Sequence, residues 1–417
     1  MSLSEPTVAF ASQDLRADTY IRQGTPLFSR VRLALFVAGF SSFALIYCVQ
    51  PLLPEFARSF GLTPASSSMA LSLTTGCLAV SIMVMAGWSQ RLGRKGVMVG
   101  SMLVAAMLNL AGAMLPGWNS LLIARALEGL ALGGVPAVAM AYLAEEIAPE
   151  DLGKAMGLYI GGTAFGAMAG RVGMGILAEF GSWRLAMGGL GVLCLLAALA
   201  FAYLLPPSRN FQPQQGNGIG FHLRAWRAHM RNPALQRLYF LGFCLTSIFV
   251  TVFNYTTFRL SDAPFGLGQT AVSMIFLAFA FGVVSSSVAG GLVSRIGRRP
   301  LLVLAFSTVL AGVVVSLAGS VGMIFLAVAL IATGFFIGHS VASSAVGAAA
   351  QGAKGHAASL YLLFYYAGSS ITGVIGGWFW QDGGWSAVAA LTAAIAVLGI
   401  LVSAFGPRTD AVRPQHD

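Results

Sequence analysis

Residues 90–115 read QRLGRKGVMVGSMLVAAMLNLAGAML. A basic loop, Arg91 to Lys95, is followed at once by 19 residues, 97–115, in which Ser101 and Asn109 are the only polar side chains. A bilayer core is about 30 Å thick and an α-helix rises about 1.5 Å per residue, so about 20 apolar residues span it. Alternation of polar and apolar residues, the mark of a membrane-spanning strand, is missing from the run. Residues 97–115 therefore predict one transmembrane helix with a charged loop at one end.

Eleven more runs of this kind bring the expected number of helices to twelve: 31–53, 68–89, 97–115, 120–144, 153–180, 184–205, 235–260, 268–293, 300–318, 322–349, 357–380 and 385–405. The composition agrees. The 417 residues are 57% hydrophobic and only 9% charged, against about 25% charged in a soluble domain. Residues 206–234 are polar and divide the runs into two groups of six. The expected organisation is an N-terminal tail (1–30), a six-helix bundle (31–205), a linker (206–234), a second six-helix bundle (235–405) and a C-terminal tail (406–417).

The formal net charge of +10 does not indicate nucleic acid, because the positive residues sit in short loops between apolar runs. If both termini share one side, that side carries 19 Lys and Arg and the other only Arg58, Arg184 and Arg259. Basic loops stay in the cytoplasm, so both termini are expected there. Residues 1–30 lack the apolar core of a signal peptide, and the first helix is expected to direct insertion. Cys48, Cys77, Cys194 and Cys244 fall inside apolar runs and read as small buried hydrophobes. No metal-ligand spacing, phosphate loop or catalytic set is present, so neither a metal, a cofactor nor an enzyme is expected. The Arg- and His-containing run 222–237, with Trp226, reads as an amphipathic segment on the anionic inner leaflet.

The two groups repeat each other. Gly93-Arg94-Lys95 recurs as Gly297-Arg298-Arg299 and Gly129-x-x-x-Gly133 as Gly334-x-x-x-Gly338. Leu158-Tyr159 recurs as Leu360-Tyr361, and Gly181-Ser182-Trp183 as Gly383-Gly384-Trp385. The offsets stay between 202 and 205. Parallel repeats of this kind place a substrate site between the halves, near the bilayer midplane.

On these residues the chain resembles the major facilitator superfamily over essentially its whole length. The family's Gly-x-x-x-Asp-Arg-x-Gly-Arg-Lys loop is matched at Arg91, Gly93, Arg94 and Lys95. Ala86 replaces its leading Gly, and Gln90 stands where the resemblance puts an acid that latches the two halves. The second copy, with Arg295, Gly297, Arg298 and Arg299, also lacks the acid. Arg125-x-x-Glu128-Gly129 is similar to a family motif implicated in proton coupling. Gly162, Gly166 and Gly170 resemble the antiporter motif of drug:proton exporters, without its Gly-Pro. Tyr47-Cys48-Val49-Gln50-Pro51 and Gly338-His339-Ser340 resemble the YnfM-like inner-membrane transporters. The resemblance implies an all-α fold of two six-helix bundles, an inner-membrane location and a monomer.

The ionisable residues inside the helices are Arg125, Glu128, Arg171 and His339. Charges in hydrocarbon need a partner or a water-filled cavity. Arg125 and Glu128 share a helix face. Glu128 and Arg171 lie at matched depths, roughly 12 and 15 Å from one side at 1.5 Å per residue, so Glu128 is expected to pair with both arginines. The cluster is either a proton-sensitive ion pair or a permanent structural bridge. His339 is a second candidate proton carrier, or a histidine held by a carbonyl, Ser343 or Ser344. Tyr47, Gln50 and Pro51 suggest a bent helix suited to binding, with Asn254 and Tyr255 in the comparable place of the second half. Tyr361, Phe364, Tyr365 and Tyr366 form an aromatic set able to hold an amphipathic or cationic compound. The glycines at 162, 166 and 170 provide close helix packing.

The expectation is a proton-coupled secondary transporter working by alternating access, an antiporter for efflux of small amphipathic compounds. A small carboxylate held by Arg125 and Arg171 is the alternative substrate. A membrane sensor without net transport is the alternative of another class.

Overall fold

In a computed structural model the chain is helical throughout its spanning segments. The structure describes residues 20–211, 218–350 and 352–405; the side chains of 86–88, 90–92 and 219 lie outside the described residues. Most of both expected tails therefore falls outside them too.

Six helices precede the linker: α1 (Pro26–Phe60), α2 (Pro64–Leu92), α3 (Arg94–Met114), α4 (Trp118–Glu146), α5 (Leu152–Phe180) and α6 (Trp183–Leu204). Six follow it: α7 (Pro233–Ser261), α8 (Gln269–Ile296), α9 (Arg298–Val315), α10 (Val321–Ala349), α11 (354–382) and α12 (385–405). Among the described residues ten helices are long and apolar enough to cross a membrane. The twelve expected spans are recovered because two of them hide from that test. Helix α5 has the length but is diluted by glycine, and Lys354–Phe405 is two helices joined at the non-helical pair Gly383 and Gly384.

Local chemistry fixes the breaks. Helix α1 leaves regular α geometry at Tyr47, passes through a 3₁₀ turn at Gln50–Leu52 and resumes at Leu53–Phe60. Pro51 causes this, because it has no N–H to continue the ladder. The loop after α2 turns at Gly93 (φ 86°, ψ 149°) and its repeat after α8 turns at Gly297 (φ 84°, ψ 165°). Both are backbone states that a side chain resists, so the repeat seen in the letters is a repeat in backbone geometry. The linker forms a helix at Ile219–Met230 that packs on the start of α11 through Trp226 and Ser359. Asn232 then caps α7, with Pro233 at its first turn, so the expected amphipathic run 222–237 is divided between two helices.

Helix pairs inside each half approach very closely. Gly162 and Gly166 of α5 lie against the backbone of Phe36 and Phe40 of α1, and a Cβ at Gly170 would stand 2.8 Å from Ala44 Cα. Gly368 lies against the backbone at Phe243 in the α7–α11 pair, and Gly129 against Thr74 of α2.

Between the halves the contacts gather at the end away from the basic loops. Gly175 of α5 meets Ser273 of α8, and Gly377 of α11 meets Ala65 of α2. Glu179 accepts the N–H of Thr270 at 2.5 Å, and Thr75 and Ser370 share a hydrogen bond of 2.8 Å. Nearer the basic end, Gly153, Gly157 and Gly161 of α5 and Gly290 and Gly291 of α8 have nothing within 4 Å of where a Cβ would stand.

Helix α5 therefore offers an internal control. Gly166→Leu drives a side chain into backbone that cannot move aside and is expected to cost about 3 kcal/mol or more. Gly157→Leu enters open space and is expected to melt within a degree or two of wild type, about 0.5 kcal/mol or less. Thermal unfolding of both variants in one detergent, followed by size-exclusion chromatography, checks the pair.

Candidate functional site

The matched charges come first. Arg125 and Glu128 of α4 have no exposed side-chain surface, and Arg125 Nη1 donates to Glu128 Oε2 at 2.6 Å. The rest of the guanidinium is held by carbonyls. Nη2 donates to Leu45 O at 3.3 Å and Ile46 O at 3.0 Å, and Nε donates to Ala70 O at 3.3 Å. Leu45 and Ile46 have carbonyls to give because α1 stops being an α-helix just after them. The break made by Pro51 is thus what receives the buried arginine. Glu128 Oε1 is buried and has no hydrogen-bond partner among the described residues.

Arg171 of α5 corrects one expectation. It makes no ion pair with Glu128, whose partner is Arg125 alone among the described residues. Its Nε donates to Gln50 Oε1 at 2.6 Å and its Nη1 to Ala167 O at 2.6 Å. Its guanidinium carbon stands 4.1, 4.7 and 5.2 Å from the ring centres of Tyr47, Phe279 and Phe276. The reason is azimuth. Arg125 is aimed into the first half, between α1 and α2, whereas Arg171 is aimed at the seam, where α8 supplies two of its three rings.

The seam is crossed at the same place. Gln50 Nε2 donates to Asn254 Oδ1 at 2.7 Å. The two residues are 204 apart, within the 202–205 range of offsets between the repeats, so closely corresponding positions of the two halves touch each other. Asn254 Nδ2 and Ser72 Oγ are buried without partners among the described residues. A Cβ at Gly373 would stand 3.6 and 3.0 Å from them, so both border one small space.

The second half contributes an aromatic wall. His339 Nδ1 is 2.9 Å from Tyr361 Oη, and its ring stacks on Phe335 at 5.8 Å and meets Tyr365 at 4.8 Å. Tyr365 in turn lies beside Tyr47 and Arg171. The alternatives weighed for His339, a carbonyl or a neighbouring serine, are not its partners. Tyr255 is placed away from this wall. It is fully buried, donates to Gly373 O at 2.5 Å and stacks near Trp380, so it fastens α7 to α11. Phe276, Phe279 and Phe335 went unnoticed in the sequence, where nothing separates them from phenylalanines that face lipid.

At the basic end Arg94 pairs with Glu145 at 2.5 Å and donates to Ser89 Oγ at 2.6 Å. The side chains of Gln90 and Arg91 lie outside the described residues. In the second copy, Arg298 Nε has no hydrogen-bond partner among the described residues. A groove of about 640 Å³ near Lys95, Val99, Gly100, Ala202 and Phe211 is lined by the first half and the start of the linker and lies apart from the seam. Cys48, Cys194 and Cys244 are buried and Cys77 is half-buried, all as free thiols.

Comparison with known proteins agrees with this architecture. The model of the Major Facilitator Superfamily matches residues 35–346 and 262–416. The chain is 44% identical to the uncharacterized MFS-type transporter YybF of Bacillus subtilis (strain 168), over 94% of this chain and 96% of that one. It is also 44% identical to the inner membrane transport protein YnfM of Escherichia coli (strain K12), over 92% of each. Among solved structures, a bacterial homolog of the human lysosomal transporter Spinster, in an inward-facing and occupied conformation, superposes with a TM-score of 0.71. That match has 14% identity and covers 91% of this chain and 96% of that one, a likeness of fold. Two six-helix halves meeting at a polar seam, together with these relatives, establish that the chain is a multi-pass integral membrane protein, a secondary transporter that belongs to the Major Facilitator Superfamily.

Proposed function

We propose that this transporter is a proton-coupled antiporter that exports small amphipathic compounds from the cytoplasm, with its basic end and both termini on the cytoplasmic side. The observation that carries the proton half is the orphan oxygen Glu128 Oε1. A buried carboxylate with one oxygen on Arg125 and the other unpartnered has a place for a proton and a reason to take one.

Protonation would remove the countercharge of Arg125 and leave it on the carbonyls of Leu45 and Ile46. Those carbonyls sit at the break in α1, and Gln50 of the same break bonds across the seam to Asn254. A proton at Glu128 is thereby linked to the contact that joins the halves. His339, between Phe335, Tyr361 and Tyr365, is the second place where a proton would be felt at the seam. The substrate half rests on the wall made by Tyr47, Tyr365, Phe335 and His339, which is aromatic and holds no carboxylate. The gathering of cross-half contacts at the far end supports an inward-facing state. Transport requires that proton and substrate bind the inward and outward states unequally.

Two outcomes are expected. In weakly buffered detergent solution, at least one class among lipophilic cations, dyes and small carboxylates is expected to release protons from wild type. Glu128→Gln is expected to lower that signal at least about tenfold, and His339→Asn to shift its pH profile. Unchanged proton release in Glu128→Gln would remove the coupling role. Stability separates the two members of the pair. Arg125→Gln strands a buried carboxylate and is expected to cost about 3–5 kcal/mol. Glu128→Gln leaves Arg125 its carbonyl acceptors and is expected to cost less than half of that. Chemical denaturation in one detergent measures both.

A further inference from the structure

Arg125 and Arg171 form a natural comparison. Both guanidinium groups are essentially inaccessible, at 0% and 1% exposed. Arg125 is neutralised by Glu128. Arg171 has no carboxylate within ion-pair distance among the described residues; its partners are one amide oxygen, one backbone carbonyl and three aromatic rings. A cation kept in hydrocarbon for structure alone is expected to be matched, as Arg125 is. The surroundings are also poor in acceptors. Among the described residues Asn254 Nδ2 lacks an acceptor and Ser72 Oγ has no hydrogen-bond partner, both within the same seam.

We propose that Arg171 is the specificity-determining residue of the substrate site and that the substrate carries a planar oxyanion, a carboxylate, on an apolar or aromatic body. This rests on the transport reading above and narrows its substrate class. The carboxylate takes the place of Gln50 Oε1 on the guanidinium, with the bidentate geometry an arginine offers. The body packs against Tyr47, Phe276 and Phe279. Arg125 takes no part, because Glu128 already occupies it. Displaced from Arg171, Gln50 is also loosened from Asn254, so filling the site weakens a bond that spans the halves. A cationic substrate would meet Arg171 at close range with no intervening acid, which disfavours it here.

The test is equilibrium binding by titration calorimetry on the full chain in nanodiscs, with benzoate, 2-naphthoate and indole-3-acetate against their uncharged amides. Wild type is expected to bind carboxylates at least about tenfold more tightly than amides. Arg171→Gln is expected to weaken the carboxylates about 30-fold or more and the amides little, and Arg171→Lys to retain part of the preference. Gln50→Glu places a carboxylate where Gln50 Oε1 now sits, so it is expected to abolish the preference while the protein melts no lower than wild type. It keeps the test decisive if Arg171→Gln does not fold. Equal binding of carboxylates and amides by wild type, no carboxylate binding at all, or wild-type carboxylate affinity in Gln50→Glu each overturns the proposal. Binding needs no proton flux. Loss of carboxylate preference with proton release to dyes intact removes the Arg171 inference alone. Carboxylate preference without proton release removes the antiporter reading and leaves this one standing.

Discussion

Hydrocarbon offers no hydrogen-bond partner, so every guanidinium held within a helix bundle takes its partners from the protein or remains short of them. This constraint organises the centre of the molecule. Arg125 is served by Glu128 and by carbonyls that the break in α1 leaves open. Arg171 is served by Gln50, by Ala167 and by the faces of three rings. Pro51 therefore has a consequence well beyond a bend. It frees the carbonyls that admit Arg125, and it places Gln50 in a 3₁₀ turn from which one side chain reaches both Arg171 and Asn254.

The way the halves are assembled follows from the strength of two kinds of contact. Within a half, glycines bring backbones together, as Gly162 and Gly166 do with α1. Such packing has many small contacts and little slack. Between the halves α2 packs along α11, and the described contacts include hydrogen bonds, each worth about 1 kcal/mol net, close approaches of small residues such as Gly377 to Ala65, and the contact of Arg171 with Phe276 and Phe279. Each half is thereby a tightly packed unit, as the halves of parallel-repeat transporters are.

Much of this was legible in the sequence. The twelve spans, the linker and the repeat follow from continuous apolar runs and four recurring phrases, because hydropathy and glycine punctuation are local properties. The contact of Arg125 with Glu128 was legible for the same reason, since three residues apart on a helix is a neighbour. Arg171 was given the wrong partner. Depth follows from counting residues along a helix. Azimuth depends on how α5 is rotated against α1 and α8, which no single segment encodes. Tyr255 shows the same limit. Its neighbour Asn254 reaches the seam, while Tyr255, one residue and about 100° further round the helix, turns into α11 to meet Gly373. Phe276 and Phe279 could not be singled out, because their role comes only from the arginine brought over from α5.

The repeat copies the scaffold and not the chemistry. Shifted by the offsets that relate the halves, Arg125 falls on Leu330, Glu128 on Thr333 and Arg171 on Gly373. The first half thus keeps the charges and the second half the aromatic wall. Gln50 and Asn254 are different, for both copies are polar amides and they bond to each other. When two equivalent units meet around a twofold axis, a residue contacts its own equivalent only on or near that axis. The Gln50–Asn254 bond joins closely corresponding stretches of α1 and α7 and so lies near the line on which the halves meet, and Arg171 lies one hydrogen bond away from it. The scaffold thus supplies two similar halves, and the single-copy charge of Arg171 sits beside the Gln50–Asn254 contact where they meet.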